Sequence, residues 1–487
     1  MASRSDFVDL SFRPWLRRAP HRSYWLREAL ASDAMLEQPS LTGDHRYDVC
    51  IVGGGFTGLW TAIRLREQDA ALRIAIVEAD ICGSGASGRN SGGTGHWWGK
   101  LPTLLRLLGK DDGVQVLNQS VAILDDLRGF IAAEGIDCRL RRGPAAWTTT
   151  TKAQVGGWNA VYAAAERAGV TPPYRKMEAA EIRGLFGQGP FFTGVVEENG
   201  TRIQPALLAR ALHRLALARG IDIFEHTPVS FIASREADVL VHLSTGQVAA
   251  QQVVLAANAW MAHLPQFRAS TMVVSSEIVI TDPIPGVLKQ HGLENRPGGV
   301  TSSPMLNYGG YTPDGRVYVG GGGTTIAYRA QVGAAFEHSP RATASVTRDF
   351  RYLYPELTNI PVAESWSGPI DRSTTGLPVF GRLSDPRIHY AIGYTGHGVA
   401  ATAIGGRAIA DAILDRDTVW TDVARLLRRA HVGIFPSEPL RYLGGRLVQK
   451  AVVRKEKAER AQRPAAKADV RLAKLAYVTW PDRQGRR

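Results

Sequence analysis

Three glycines and one glutamate have the types and spacing to hold a dinucleotide. Gly53, Gly55 and Gly58 stand in a G-x-G-x-x-G pattern, and Glu78 follows downstream. In such a pattern the first glycine permits a tight turn and the second lets a pyrophosphate approach the backbone. The third allows close contact between helix and strand. Phe56 and Thr57 open the helix, whose free N–H groups and partial positive charge suit a diphosphate. Glu78, with Ala79 beside it, is placed to accept hydrogen bonds from ribose hydroxyls, and a carboxylate there disfavours a 2′-phosphate. The ligand chemistry is that of NAD or FAD.

The elements needed to position these residues are legible. YDVCIV (47–52) is a run of β-formers, and LWTAIRLRE (59–67) carries Leu59, Ile63 and Leu65 at helical spacing. RIAIVE (73–78) is a second strand ending on the glutamate. A nicotinamide enzyme would continue with regular βα units, but here an extended small-residue loop follows, ICGSGASGRNSGGTGH (81–96). QVVLAANAW (252–260) reads as another buried strand. Residues 388–413 repeat the pattern of strand, Gly-containing turn and helix. One nucleotide domain assembled from distant segments suits a flavoprotein.

The opening YDVCIVGGGFTGL, the GASGRN loop, GYTGHGVA (393–400) and the lead-in SYWLREAL (23–30) together resemble the D-amino-acid oxidase-like superfamily of FAD-dependent amine oxidoreductases. Within it the chain looks most like the γ-glutamylputrescine oxidase group, over roughly residues 20 to 420. The resemblance implies an α/β (α+β) fold, in which a Rossmann-like FAD-binding domain is interleaved with an antiparallel-sheet substrate domain. A basic helical C-terminal extension follows. The expected division is a lead-in (1–43), FAD-binding segments 44–105, 195–260 and 365–420, substrate segments 106–194 and 261–364, and the extension 421–487.

The same resemblance distributes the cofactor contacts. The loop after the second strand, with Gly85, Ala86, Ser87, Arg89, Asn90, Ser91 and Gly92, follows the cofactor toward its ring. Arg89 and Asn90 are expected at the ring's polar edge. Val229, Ala257 and Trp260, then Trp366 and Gly368, are expected nearby. Gly396, Gly398, Val399 and Ala400 close the other side, where a helix aims its positive end at the part of the ring that becomes negative on reduction. No cysteine follows Cys138, and Arg89 stands about where some relatives carry a histidine, so FAD is expected to be non-covalent. Ala400 stands where sarcosine-oxidase-like enzymes have a lysine near the substrate carboxylate. That moves weight toward an amine whose anionic group, if any, is remote.

The implied reaction is hydride transfer from an amine C–H to flavin N5. It gives an imine that hydrolyses to an aldehyde plus ammonia or an amine, with O2 or another acceptor taking the electrons. Such chemistry needs orientation and desolvation more than a nucleophile. His397 and Tyr308 are the expected catalytic side chains. His96, Trp97, Tyr311 and Tyr328 are expected as pocket walls, and Arg316 and Arg329 as contacts for an anionic end. Asp371 and Arg372 are read as structural. TPDGR (312–316) is a turn between two strands of the substrate sheet. The substrate is expected to be γ-glutamylputrescine-like or another primary or secondary amine. The alternative within the fold is an amino-acid or aminophosphonate oxidase or dehydrogenase.

Composition narrows the class. Cys50, Cys82 and Cys138 form no metal-binding spacing and fit reduced thiols in a cytoplasmic protein. No metal is expected. The N-terminus lacks the apolar stretch of a secretory signal, and no apolar run suggests a membrane span. The net charge of +13 is concentrated at the end: residues 441–487 hold 14 Lys and Arg against 4 Asp and Glu. The near-neutral body argues against a nucleic-acid partner. An RNA- or assembly-interacting flavoprotein acting through this tail is the alternative from another class. Val448, Val452 and Val453 suggest an apolar stripe packing the tail on the body or a partner.

Overall fold

The computed structural model describes residues 7–10, 21–33, 37–294, 298–303 and 306–476. Residues 1–6, 11–20 and 34–36 of the expected lead-in, and 477–487 of the basic tail, lie outside the described residues.

Among the described residues the strands form two nine-stranded sheets. In the first, Gly246–Leu255, Gly43–Val52, Ile74–Val77 and Asp222–Phe224 run parallel, and Ile388–Ile392 joins parallel to the end of Gly246–Leu255. Val49 to Val52 and all of Ile74–Val77 are buried. Continuous apolar runs of this kind are what a sheet covered on both faces requires. The helices Phe56–Gln68 and Gly398–Ile413 pack against each other, so closely that a Cβ on Gly406 would lie 2.5 Å from the Cβ of Trp60. The three distant nucleotide segments thus meet in one sheet.

The second sheet orders Val362–Ser373, Thr271–Thr281, Val317–Ile326, Asn307–Tyr311, Gly298–Thr301, Arg141–Thr148, Thr193–Arg202 and Gly93–Thr94. It is antiparallel except between Gly298–Thr301 and Arg141–Thr148. TPDGR closes the hairpin between Asn307–Tyr311 and Val317–Ile326, with Thr312 N–H donating to Arg316 O and Gly315 N–H to Thr312 O, both at 3.0 Å. Most of Thr193–Arg202 and of Val362–Ser373 fall in segments expected of the cofactor domain, yet both strands pair in this second sheet. The helix Lys110–Ala133, expected of the substrate domain, packs into the first sheet's helical layer.

The described part of the basic extension packs on the body. Its helix Leu440–Arg460 lies on the second sheet: Gln449 Nε2 donates to Thr324 O at 3.0 Å, and Arg460 pairs with Asp349 at 2.6 Å. Val452 is buried, while Val453 is half exposed and points away. The inward stripe is Arg441, Ala451, Val452 and Glu456 rather than three valines. No helix among the described residues is long and apolar enough to cross a membrane.

Candidate active site

A cavity of about 1190 Å³ runs from the glycine turn after the first nucleotide strand to the glycine turn before the last helix. It exceeds the roughly 300–1,000 Å³ of ordinary small-ligand pockets, as a site for a cofactor and a substrate together must.

Its nucleotide end is built from close approaches. Gly53 has φ +115, and a Cβ there would sit 2.7 Å from Ala256 O. Gly58 lies off the cavity, where a Cβ would sit 2.0 Å from Gly53 O; it lets helix and turn touch. Glu78, half-buried, accepts from Gly54 N–H at 2.7 Å and Asp80 N–H at 2.9 Å, which fixes its carboxylate at the turn. Burial pushes its carboxyl up to about 7. Gly55, Phe56, Thr57, Ala79, Gly85, Ala86, Ser87 and Ser91 line the same wall, as do Val229, Ala257 and Trp260. Thr57 Oγ1 bonds Tyr394 Oη at 2.7 Å, tying the first nucleotide helix to the last strand segment. A bare backbone cradle, an oriented carboxylate and a long continuous cavity fit FAD.

The polar side chains of the GASGRN loop are engaged by protein. Arg89 borders the cavity, but its guanidinium donates to the carbonyls of Ser84, Ser367 and His21. Burial lowers its pKa to about 10. Asn90 donates to Ala86 O and Ser87 O and accepts from Gly92 N–H. These two residues therefore hold the loop's shape rather than offering free groups to a ring edge. Gly92 and Trp366 are off the cavity. A Cβ on Gly92 would strike Ile203 O, and Trp366 is buried among Trp25, Tyr24 and Tyr318 with its indole bonded to Arg89 O. Gly368 does line the cavity, backed by Arg89.

At the far end Gly396, His397, Gly398 and Val399 form the cavity wall, while Ala400 is buried inside the helix. His397 caps that helix, and its Nδ1 lies 3.0 Å from Thr395 O. The side chain is exposed on the cavity. Desolvation, reinforced by Lys100, lowers its pKa to about 4, so it is neutral at physiological pH. Tyr308 lines the cavity with its hydroxyl 2.6 Å from Ser276 Oγ, and burial raises its pKa.

The remaining substrate-side expectations divide. His96 lines the cavity, bonded to Glu197 at 2.9 Å. Trp97 is core, its N–H held by Ser120 Oγ. Tyr311 is buried on Tyr354, behind the sheet. Arg316 is outside, bonded to Asp314 and stacked over Tyr24. Tyr328 is 40 % exposed beneath the Arg329 guanidinium, on the surface. Of these last four only Tyr311 lies within a strand, so strand alternation does not tell which of them meets the cavity.

Several wall residues carried no recognisable signal. Arg141, Arg202, Trp147, Tyr174 and Lys100 all border the cavity. Lys100 is four residues past His96, in the same stretch. Among the described residues its amine has no hydrogen-bond or ion-pair partner, and desolvation with repulsion from Arg372 lowers its pKa to about 8. Its Nζ occupies room left by Gly376, where a Cβ would lie 2.8 Å away. Ala476, from the C-terminal extension, also borders the cavity, and Arg372 donates to its carbonyl.

Comparison with known proteins agrees with this architecture. Gamma-glutamylputrescine oxidoreductase of Escherichia coli is 26% identical over 375 residues, covering 75% of this chain and 83% of that protein. Probable oxidoreductase OrdL of Haemophilus influenzae is 26% identical over 388 residues, covering 78% and 85%. The crystal structure of glycine oxidase from Geobacillus kaustophilus superposes with a TM-score of 0.63 at 24% identity, over 77% of this chain and 96% of that one. The family model described as FAD dependent oxidoreductase (DAO) matches residues 48–412. This chain belongs to the DAO family of FAD-dependent oxidoreductases.

Proposed function

We propose that the protein oxidises an amine at a CH–NH or CH–NH2 group, with non-covalent FAD as acceptor and O2 or another carrier taking the electrons. One observation carries the reading. A single cavity joins the dinucleotide turn at Gly53–Gly58 to a chamber bordered by His397, Tyr308, Tyr174 and Trp147. The family match supports the cofactor, and the relatives' names support an amine or amino-acid substrate, γ-glutamylputrescine-like amines among them. Bound FAD supplies the two-electron chemistry by accepting the hydride of the amine's C–H.

In this reading Gly53, Gly55, the first turn of Phe56–Gln68 and Glu78 hold the dinucleotide. Ser87, Ser91, Val229, Ala257, Trp260 and Gly368 shape its track, and Gly396–Val399 sit at the ring. The domain division is proposed as the two sheets with their covering helices, so Thr193–Arg202 and Val362–Ser373 go with the substrate side. With Nδ1 donating to Thr395 O, neutral His397 keeps Nε2 as a hydrogen-bond acceptor toward the chamber. Tyr308 stays a phenol and can donate a hydrogen bond. Trp147 and Tyr174 exclude water from the chamber, which favours the neutral amine. Cys50, Cys82 and Cys138 are buried and lie off the cavity, which supports a non-covalent cofactor and a cytoplasmic setting.

The test is an anaerobic screen of the purified protein with amines, polyamines, amino acids and aminophosphonates. Bleaching of the flavin band by an amine is expected, with the flavin released on acid precipitation. Protein that takes up no FAD, or a flavin that no amine bleaches, overturns the reading.

A further inference from the structure

We propose that Arg141 and Arg202 form a seat for an oxyanion carried by the substrate, away from the amine that is oxidised. The inference rests on the amine-oxidising reading above and specifies its substrate class: an amine with a carboxylate or similar oxyanion at its far end.

Arg141 opens the strand Arg141–Thr148 and Arg202 closes the strand Thr193–Arg202; the two stand directly opposite in the antiparallel register. Like charges in that position repel and destabilise a sheet. Both border the cavity and both are half-buried. Neither is neutralised by protein: Arg141 donates to Tyr311 O, and Arg202 Nη1 donates to Tyr318 Oη at 2.6 Å. Among the described residues no carboxylate pairs with either. Of the acids that line the cavity, Glu197 is held by His96, Asp80 by Arg22 and Asp371 by Gly393 N–H. Burial and the charge of Arg202 both lower the pKa of Arg141, which is the mark of a cation short of an anion.

The slot for these groups is built into the neighbouring strands. A Cβ on Gly298 would lie 1.7 Å from Arg202 Cζ, and one on Gly310 would lie 3.1 Å from its Nη1. Bare backbone on two adjacent strands therefore lets a guanidinium lie flat against the sheet. Two adjacent guanidiniums on one wall match the geometry of a carboxylate or phosphonate, which accepts paired N–H donors. Arg316 and Arg329, the arginines expected at an anionic end, are outside the cavity and cannot serve.

The holoenzyme is titrated with glutarate and with phosphonoacetate, followed by calorimetry and by the flavin spectrum. It is also reduced anaerobically with 4-aminobutanoate, 3-aminopropylphosphonate and butylamine. Anion binding is expected, with half-saturation for an anionic amine at least about tenfold below that for butylamine, the ratio that one charge-assisted contact gives. The two anionic amines decide between carboxylate and phosphonate. Arg202→Met and Arg141→Met should erase that preference and the anion binding while retaining FAD content, and Arg202→Lys should restore part of it. Gly298→Ala, which fills the slot, should reproduce the loss should a methionine variant not fold. Equal saturation by butylamine and the anionic amines, or anion binding untouched in the variants, overturns the seat. If no amine reduces the flavin while glutarate binds the parent and not Arg202→Met, the oxidation reading falls and the seat stands.

Discussion

Trp366 donates its indole N–H to the carbonyl oxygen of Arg89 at 2.9 Å, joining residues 277 apart in sequence. The bond fastens the cofactor loop to a strand of the second sheet, and the Arg89 guanidinium adds the bond to Ser367 O. Trp366→Phe leaves a buried carbonyl without its donor. It should cost about 1–3 kcal/mol, read by chemical denaturation of the apoprotein, and should weaken FAD binding in parallel. An unchanged midpoint would show that the loop is held by other means.

Gly58 and Gly129 make a matched pair. Alanine at Gly58 would put a methyl 2.0 Å from Gly53 O, whereas alanine at exposed, helical Gly129 meets nothing within 4 Å. Gly58→Ala should abolish FAD uptake. Gly129→Ala should stabilise by about 0.5–1 kcal/mol through helix propensity. Equal FAD occupancy in the two variants would contradict the packing role of Gly58.

Burial pushes the carboxyls of both Glu78 and Asp371 up to about 7. The unfolded chain holds such groups near about 4, so the folded state binds more protons between the two values. Their contribution to stability is complete below the unfolded pKa and is lost as pH rises through about 7. The apoprotein should melt at higher temperature at pH 6 than at pH 8, and Glu78→Gln or Asp371→Asn should each flatten the rise. Thermal melts in matched ionic strength decide it.

Lys100 sits in the wall beside His397, and burial together with repulsion from Arg372 lowers its pKa to about 8. With the cofactor ring placed at Gly396–Val399, the visible spectrum of the holoenzyme should titrate within about one unit of that value. Lys100→Met should remove the step, whereas His397→Asn should leave a step in place. A pH-independent parent spectrum would remove Lys100 from the ring's surroundings.

The C-terminal helix is fastened by Arg460, which bonds Asp349 at 2.6 Å while stacking over Tyr352. Arg460→Ala should lower stability by about 1–3 kcal/mol, because it leaves a half-buried carboxylate without its cation. Removing residues 441–487 should also open the wall at Ala476 and raise half-saturating amine concentrations. Turnover unaffected by the deletion would return the extension to an accessory role.

The nucleotide half of the molecule was written locally. Strand, Gly53–Gly58 turn, helix and Glu78 are consecutive in sequence, and their spacing alone carries the dinucleotide chemistry, because each contact is made by backbone or by its near neighbour. The strands around 252 and 388 were legible for the same reason. What local pattern could not supply was the pairing of Thr193–Arg202 and Val362–Ser373 with the second sheet, since an alternating strand does not state its partner. Nor could it say which arginine faces inward. Arg316 and Arg202 both end or border strands, yet Asp314 holds one outside the cavity, while Gly298 and Gly310 leave the other room in the wall. Arg89 shows the same limit, because the carbonyls that consume its guanidinium come from residues 21, 84 and 367. The sequence by itself determined the cofactor class and the turn that binds it; only the tertiary structure decided which charges stand unpaired in the chamber, because charge compensation depends on neighbours that the chain brings together from far apart.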